Sequence, residues 1–189
     1  MAAFDALLGG GLAHWRGSVD PLMLALTRFG GWRSLTLVTA ALVALLALRG
    51  RPKQAAYLVL GAGGPVLLNW ALKLLFHRAR PDSSVLYLVA APTSFSFPSG
   101  HAMCSAGVLA SIAVVIQTVG WRRAWAHLLG ALCLVLAVGV GLSRVYLGVH
   151  FASDVMGGQL AAAAWVSALT GWFYPHLLPG ESVEPESPA

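Results

Sequence analysis

Acidic side chains are nearly missing from the middle of this sequence. The seven are Asp5, Asp20, Asp82, Asp154, Glu181, Glu184 and Glu186, so between Pro21 and Gly180 only Asp82 and Asp154 remain. Charged residues of both signs make up 10% of the chain, where an ordinary soluble domain carries about 25%. With 58% apolar residues, this scarcity excludes a water-soluble globule and leaves a membrane protein. Cysteine is also scarce. Cys104 and Cys133 sit in apolar runs with no metal-ligand spacing and no disulfide framework, and read as small buried hydrophobes. A basic start and apolar core are lacking before Asp5, so no cleaved signal peptide is expected and the chain is read as mature. The net charge of +5 is not gathered into a dense patch, so nucleic acid is not an expected partner. No repeat is visible, and 189 residues suit one domain.

What is present is a series of apolar segments. Five are long enough to consider as spans: Ser34 to Leu48, extended back through Phe29-Gly30-Gly31-Trp32; Gln54 to Leu75; Ala102 to Gly120; Ala124 to Leu142; and Val155 to Tyr174. A bilayer core needs about 20 residues of helix. The expected fold is therefore all-α, a multi-pass bundle of about five spanning helices. Residues 1–33 differ, being broken by charges and by Gly9-Gly10-Gly11. They read as an interfacial segment, with a short amphipathic helix from Pro21 to Phe29 capped by Asp20. Residues 34–176 form the core, and the acidic residues 177–189 form a tail expected to be disordered.

Arg49, Arg51 and Lys53 lie between the first and second spans, and Arg122 and Arg123 between the third and fourth. Positive residues favour the cytoplasmic side. That puts the loop from His77 to Gly100 and the turn from Ser143 to Ser153 on the outer side of a cell (inner) membrane, the periplasmic or extracellular face. Trp15, Trp32, Trp121 and Trp172 suit interfacial belts.

Polar residues gather at the outer helix ends in three clusters. Lys73 and Arg80-Pro81 form the first. Seven residues apart, the two cations would share a helix face, with the helix ending near Arg80 because proline disfavours helix before it. They serve an anion or anchor a helix end. Pro98-Ser99-Gly100-His101 opens the third span, where N–H donors make an anion site and glycine permits close approach. Ser143-Arg144, His150 and Asp154 form the last cluster. Four apart on a helix, His150 and Asp154 would face the same way, with the carboxylate fixing the imidazole tautomer. Three cations, a backbone cradle, two imidazoles and one carboxylate fit phosphoryl transfer. No carboxylate cluster is available for Mg²⁺, so no metal and no cofactor are expected.

These residues resemble a known family, the type 2 phosphatidic acid phosphatases, or lipid phosphate phosphatases. Its signature K-x6-R-P, P-S-G-H and S-R-x5-H-x3-D is matched at every specified position from Lys73 to Asp154. The resemblance implies a lipid phosphatase. His150 would be the nucleophile that forms a phosphohistidine, Asp154 its orienter and His101 the general acid. Lys73, Arg80, Ser99, Gly100 and Arg144 would hold the phosphate. The implied substrates are undecaprenyl diphosphate, phosphatidate and phosphatidylglycerol phosphate. The family shares its site with vanadium haloperoxidases, where vanadate takes the phosphate position. A haloperoxidase-like or phosphotransferase activity and a non-catalytic lipid binder are the alternatives. Family members usually have six spans, and the first is not apparent here.

Partners are thus a lipid phosphate and the surrounding membrane lipids, with a homo-oligomer left open. His77 and Arg78 could touch a headgroup or anchor the interface. Asp82 reads as a turn residue and Asn69 as an interhelical hydrogen-bonder. Tyr87, Phe95 and Phe97 are candidates for guiding a lipid chain.

Overall fold

The structure, a computed structural model, describes residues 1–90, 92–120 and 122–177, and their regular structure is all helical. In chain order come α1 (Ala2–Ala13), α2 (Asp20–Phe29), α3 (Trp32–Leu48), α4 (Pro52–Phe76), a 3-10 turn at Ser83–Val85, α5 (Gly100–Thr118), α6 (Arg123–Tyr146) and α7 (Ala152–Leu177).

By length and hydropathy, among the described residues, α4, α5 and α6 can each cross a membrane, and α2 with α3 qualifies as a fourth only if that pair, bent by 55°, counts as one span. The bend falls at Gly30-Gly31, where a Cβ on Gly30 would lie 2.3 Å from a Val140 methyl. The five spans expected from sequence correspond to α3 through α7. Helix α7 is 26 residues long, but with Asp154, Gln159 and several Gly, Ser and Thr residues it is not among the three that qualify on hydropathy. Its Leu160, Trp165 and Trp172 are nevertheless exposed, as are Leu67 and Trp70 of α4 and Val135 of α6. Apolar side chains turned outward on several helices suit a lipid surround rather than water.

Helix α5 is the hub, packed against α4, α6 and α7. Small residues let the backbones approach. A Cβ on Gly61 would lie 2.0 Å from Ser111 Oγ, and one on Gly107 would lie 2.4 Å from Pro65 Cγ. Dispersion across such close contacts drives helix association in lipid, where the hydrophobic effect between helices is lost. Pro65 also withholds an N–H from the α4 ladder. Nearby, the Trp165 indole of α7 donates to the Leu60 carbonyl at 3.1 Å.

The helix ends sort the polar residues. Arg51 donates to the Thr118 carbonyl at 3.4 Å, which joins the α3–α4 connection to the end of α5. The basic loops, Arg49 to Lys53 and Arg122 to Arg123, therefore share one end of the bundle. At the other end meet the C-termini of α4 and α6, the N-termini of α5 and α7, and the short helices α1 and α2.

Several local expectations are corrected. Helix α4 stops at Phe76, with His77 left-handed at φ 44°, so Arg80 lies in the following loop and shares no helix face with Lys73. Helix α6 continues to Tyr146 and takes Ser143 and Arg144 into its last turns. A cation there is favoured by the helix dipole, and Ser143 Oγ bonds back to the Val140 carbonyl at 2.7 Å. Helix α7 starts at Ala152, so His150 precedes it. Asp20 does not cap α2, whose N-cap is Val19. Its carboxylate accepts instead from the Gly17 N–H, the Tyr87 hydroxyl and the Tyr146 hydroxyl, because two phenols offer it stronger partners than its own helix. Both cysteines are free but only half-buried. Trp15, Trp32 and Trp172 are exposed. Trp121 and the tail from residue 178 lie outside the described residues, and Leu177 closes α7.

Candidate active site

Asp154 sits in the first turn of α7, fully enclosed. One of its oxygens takes Arg78 Nη1 at 2.6 Å. The other takes Ser96 Oγ at 2.5 Å and the Phe151 N–H at 3.0 Å, and lies 3.5 Å from His150 Nδ1. Ser96 Oγ is also 3.4 Å from Nδ1. On its far side the imidazole meets Arg80, whose Nη1 is 3.1 Å from Nε2.

That contact fixes the tautomer. A guanidinium has donors only, so Nε2 must accept and its lone pair points at Arg80. The ring proton is then on Nδ1, facing Ser96 and Asp154. The distances on that side are long for hydrogen bonds. Burial, the largest influence, pushes the His150 pKa down to about 4; Asp154 opposes this, while Arg80 and Arg144 add to it. The ring is therefore neutral near pH 7.

The cations converge on the same spot by different routes. Lys73, near the end of α4, donates to the Phe95 carbonyl, and Arg80 Nη2 reaches that carbonyl at 3.4 Å. Arg80 is braced further by the Ser94 carbonyl at 2.7 Å and the Val149 carbonyl at 2.7 Å. Burial lowers the Arg80 pKa, against Asp154, but a guanidinium stays charged at any physiological pH. Arg144 is buried in α6 and donates through Nη1 to Thr27 Oγ1 of α2. Its Nε has no partner.

His101 and Ser99 come from the start of α5. Ser99 is the N-cap residue, yet its side chain makes no capping bond, and its buried Oγ is also without a partner. The first N–H groups of a helix have no acceptor within it, and Gly100 presents them without a Cβ. The segment is held from two sides. Asn69 of α4 donates to the Pro98 carbonyl at 3.2 Å, as an interhelical bonder should, and the Ser99 N–H donates to the Asp154 carbonyl at 3.1 Å. His101 lies within Coulomb range of Arg144, His150 and Arg80.

So Lys73, Arg80, Ser99, Gly100, His101, Arg144, His150 and Asp154 all stand at one end of the bundle. Two buried donors left unpaired beside three cations, with the nearby carboxylate already engaged, make a place for an anion. Among the described residues no group of three or more His, Cys, Asp or Glu side chains is placed to hold a metal ion.

Sequence reasoning left Arg78 undecided and did not single out Asp5, Ser96 or Thr27. Arg78 turns inward, its Nη2 reaching Asp5 at 2.9 Å and its guanidinium lying 4.3 Å from the Phe151 ring centre. His77 packs edge-on against Phe95. Asp82 caps the 3-10 turn through the Ser84 N–H at 2.8 Å. Of the candidate chain guides, Tyr87 is tied to Asp20 with Arg16 over its ring, and Phe97 packs on Phe76.

A model of the PAP2 superfamily matches residues 54–177. Phosphatidylglycerophosphatase B of Bacillus subtilis is 44% identical over 93 residues, which is 49% of this chain but only 44% of that relative's length. Undecaprenyl-diphosphatase of Sulfolobus acidocaldarius is 31% identical over 156 residues, 81% of this chain and 69% of the relative. Among solved structures, a transmembrane PAP2 type phosphatidylglycerolphosphate phosphatase from Bacillus subtilis superposes with a TM-score of 0.82 at 28% identity, covering 98% of this chain and 89% of that one.

Proposed function

The chain belongs to the PAP2 superfamily, and from that footing we propose that it hydrolyses a lipid phosphate or diphosphate through a phosphohistidine at the outer face of a cell membrane. The observation that carries this is the aimed imidazole: Arg80 at 3.1 Å from His150 Nε2, with Asp154 behind Nδ1.

A phosphate entering the site takes over the donations of Arg80 and supplies acceptors for Ser99 Oγ, Arg144 Nε and the first N–H groups of α5. Lys73 adds a third positive charge. With Arg80 turned to the phosphate, the Nε2 lone pair is free. Nε2 attacks phosphorus and the bond to the leaving oxygen breaks. That oxygen takes a proton from His101, so the dephosphorylated lipid departs neutral at the new hydroxyl. Asp154, with Ser96, holds the Nδ1–H and stabilises positive charge on the phosphorylated ring. Water then attacks phosphorus, His101 takes its proton, the N–P bond breaks and inorganic phosphate leaves. Charge on the phosphoryl oxygens is met by fixed cations throughout, so the chemistry calls for no Mg²⁺.

The lipid substrate fits a site at the bundle end, level with a headgroup. The basic loops at the opposite end support a cytoplasmic location for that end and a periplasmic or extracellular location for the site. Helices α1 and α2 would then rest at the outer interface. The test is phosphate release by purified protein from phosphatidylglycerol phosphate, undecaprenyl diphosphate and phosphatidate in detergent, with EDTA present. Release from at least one, lost in His150→Ala, is expected. No release from any of them, or an undiminished rate in His150→Ala, would overturn the proposal.

A further inference from the structure

Asp5 is the one buried residue of α1, and it lies outside the stretch 54–177 matched by the family. It reaches across the bundle end to the start of α7. Its Oδ1 accepts the Ser153 N–H at 2.7 Å, and its Oδ2 accepts Ser153 Oγ at 2.8 Å and Arg78 Nη2 at 2.9 Å. Burial works against its charge, but the bonds from Ser153 and Arg78 outweigh this and hold its carboxyl below the usual value. The other arm of Arg78 grips Asp154 at 2.6 Å and Ser153 Oγ at 2.7 Å.

We propose that Asp5 is a positioning residue for the reaction, acting through Arg78 and the first turn of α7 on the carboxylate behind His150. The inference rests on the phosphohistidine reading above. Two physical consequences follow from the geometry. First, Asp5 caps α7 from a distant helix, filling an orphan N–H at its N-terminus and so fixing the turn that carries Asp154. Second, Asp5 shares the charge of Arg78. With it, the trio of Asp5, Arg78 and Asp154 carries a net charge of one negative unit beside His150. Without it, Arg78 would neutralise Asp154, and the positive charge that develops on the phosphorylated ring would lose its counter-charge.

Leu12 packs α1 against the buried groups around Val145 and Tyr146. The face carrying Ala2, Ala6, Gly9, Gly10 and Ala13 instead borders a cavity of about 590 Å³ that also touches His150, and a Cβ built on Gly9 or Gly10 would meet nothing within 4 Å. Asp5 is thus the polar link between α1 and the site, beside the apolar anchor at Leu12.

The test compares Asp5→Asn, which keeps the shape, with Arg78→Gln and the double variant, in detergent-purified full chain. For Asp5→Asn we expect kcat to fall about tenfold with KM changed by less than about threefold, since the charge acts on the reacting ring and not on binding. In the Arg78→Gln background the same substitution should cost less than about threefold, because its route to Asp154 is already cut. Asp5→Glu, which keeps the charge, should recover most of kcat and shows that loss does not come from misfolding. A wild-type kcat in Asp5→Asn, or losses that multiply in the double variant, would overturn the inference. Should the wild type release no phosphate from any lipid, the functional reading fails separately. Orthovanadate mimics the transition state by bonding to the attacking nitrogen and so, unlike substrate binding, senses charge behind the ring. Its affinity, read by tryptophan fluorescence, then decides the role of Asp5: about tenfold weaker binding in Asp5→Asn upholds it, and equal binding refutes it.

Discussion

Arg80 Nη1 lies 3.1 Å from His150 Nε2, so a fixed cation guards the nitrogen that would attack phosphorus and dictates which nitrogen that is. The ring is thereby held with its lone pair on the nitrogen that the proposed reaction needs.

Removing the imidazole should abolish turnover. His150→Ala is expected to lower phosphate release by at least about a thousandfold, and no acid-labile phosphoryl-enzyme should form. His101→Gln should cost about 10²–10⁴-fold on a lipid substrate, but much less on p-nitrophenyl phosphate, whose leaving group needs no proton. An equal loss on both substrates in quench-flow assays would remove His101 from the role of general acid.

The acid limb of kcat/KM should lie well below the ordinary histidine value. Because burial holds the His150 pKa down to about 4, the ring keeps its lone pair as pH falls through 6.5, where an unperturbed histidine titrates. The linkage has a definite sign. Below about 6.5 the unfolded chain takes up a proton at this residue that the folded chain refuses until about 4, so this group's contribution makes stability fall across that window as pH drops. Rate and thermal midpoint measured from pH 4 to 8 check both statements, and an acid limb at 6.5 contradicts the first.

Ser99→Ala separates binding from folding. The buried Oγ has no hydrogen-bond partner, so its removal should leave the thermal midpoint unchanged or slightly raised. A phosphate would lose one hydrogen bond to a charged group, about 1.5–3 kcal/mol, so kcat/KM should drop about 10–150-fold. Loss of stability without loss of activity would mean the hydroxyl serves the fold.

Gly107→Val should weaken the α4–α5 contact. Even a Cβ there would lie 2.4 Å from Pro65 Cγ and 3.2 Å from the Gly61 carbonyl, and overpacking typically costs about 1–3 kcal/mol. A lower unfolding midpoint in detergent is expected, while Gly9→Val, in open space, should show no such shift.

The bundle and the residues gathered at its candidate site were legible because lipid imposes simple constraints. Long apolar helices stand out, and a polar side chain near their ends must have a purpose, which picked out Lys73, Arg144, His150 and Asp154. Local geometry was less legible. His77 turns left-handed with no signal in its own sequence, and the end of α4 therefore moved back from Arg80 to Phe76. Helix α6 ran on through Arg144 because its last turns pack against α2, where Thr27 accepts from that guanidinium. Ser96 and Thr27 carry no spacing signature, since they touch the site across folds of the chain. Asp5 could have been found. It is an acid within an apolar helix, and the reasoning that singled out Asp154 applies to it equally.

The bond from the Ser99 N–H to the Asp154 carbonyl joins the two segments that carry the candidate histidines by main chain alone. Only proline at position 99 would delete its donor, so the spacing of the two imidazoles is insulated from almost any side-chain change. Under the proposed function, loops meeting different headgroups could diversify around it while the spacing of the two imidazoles stays constant.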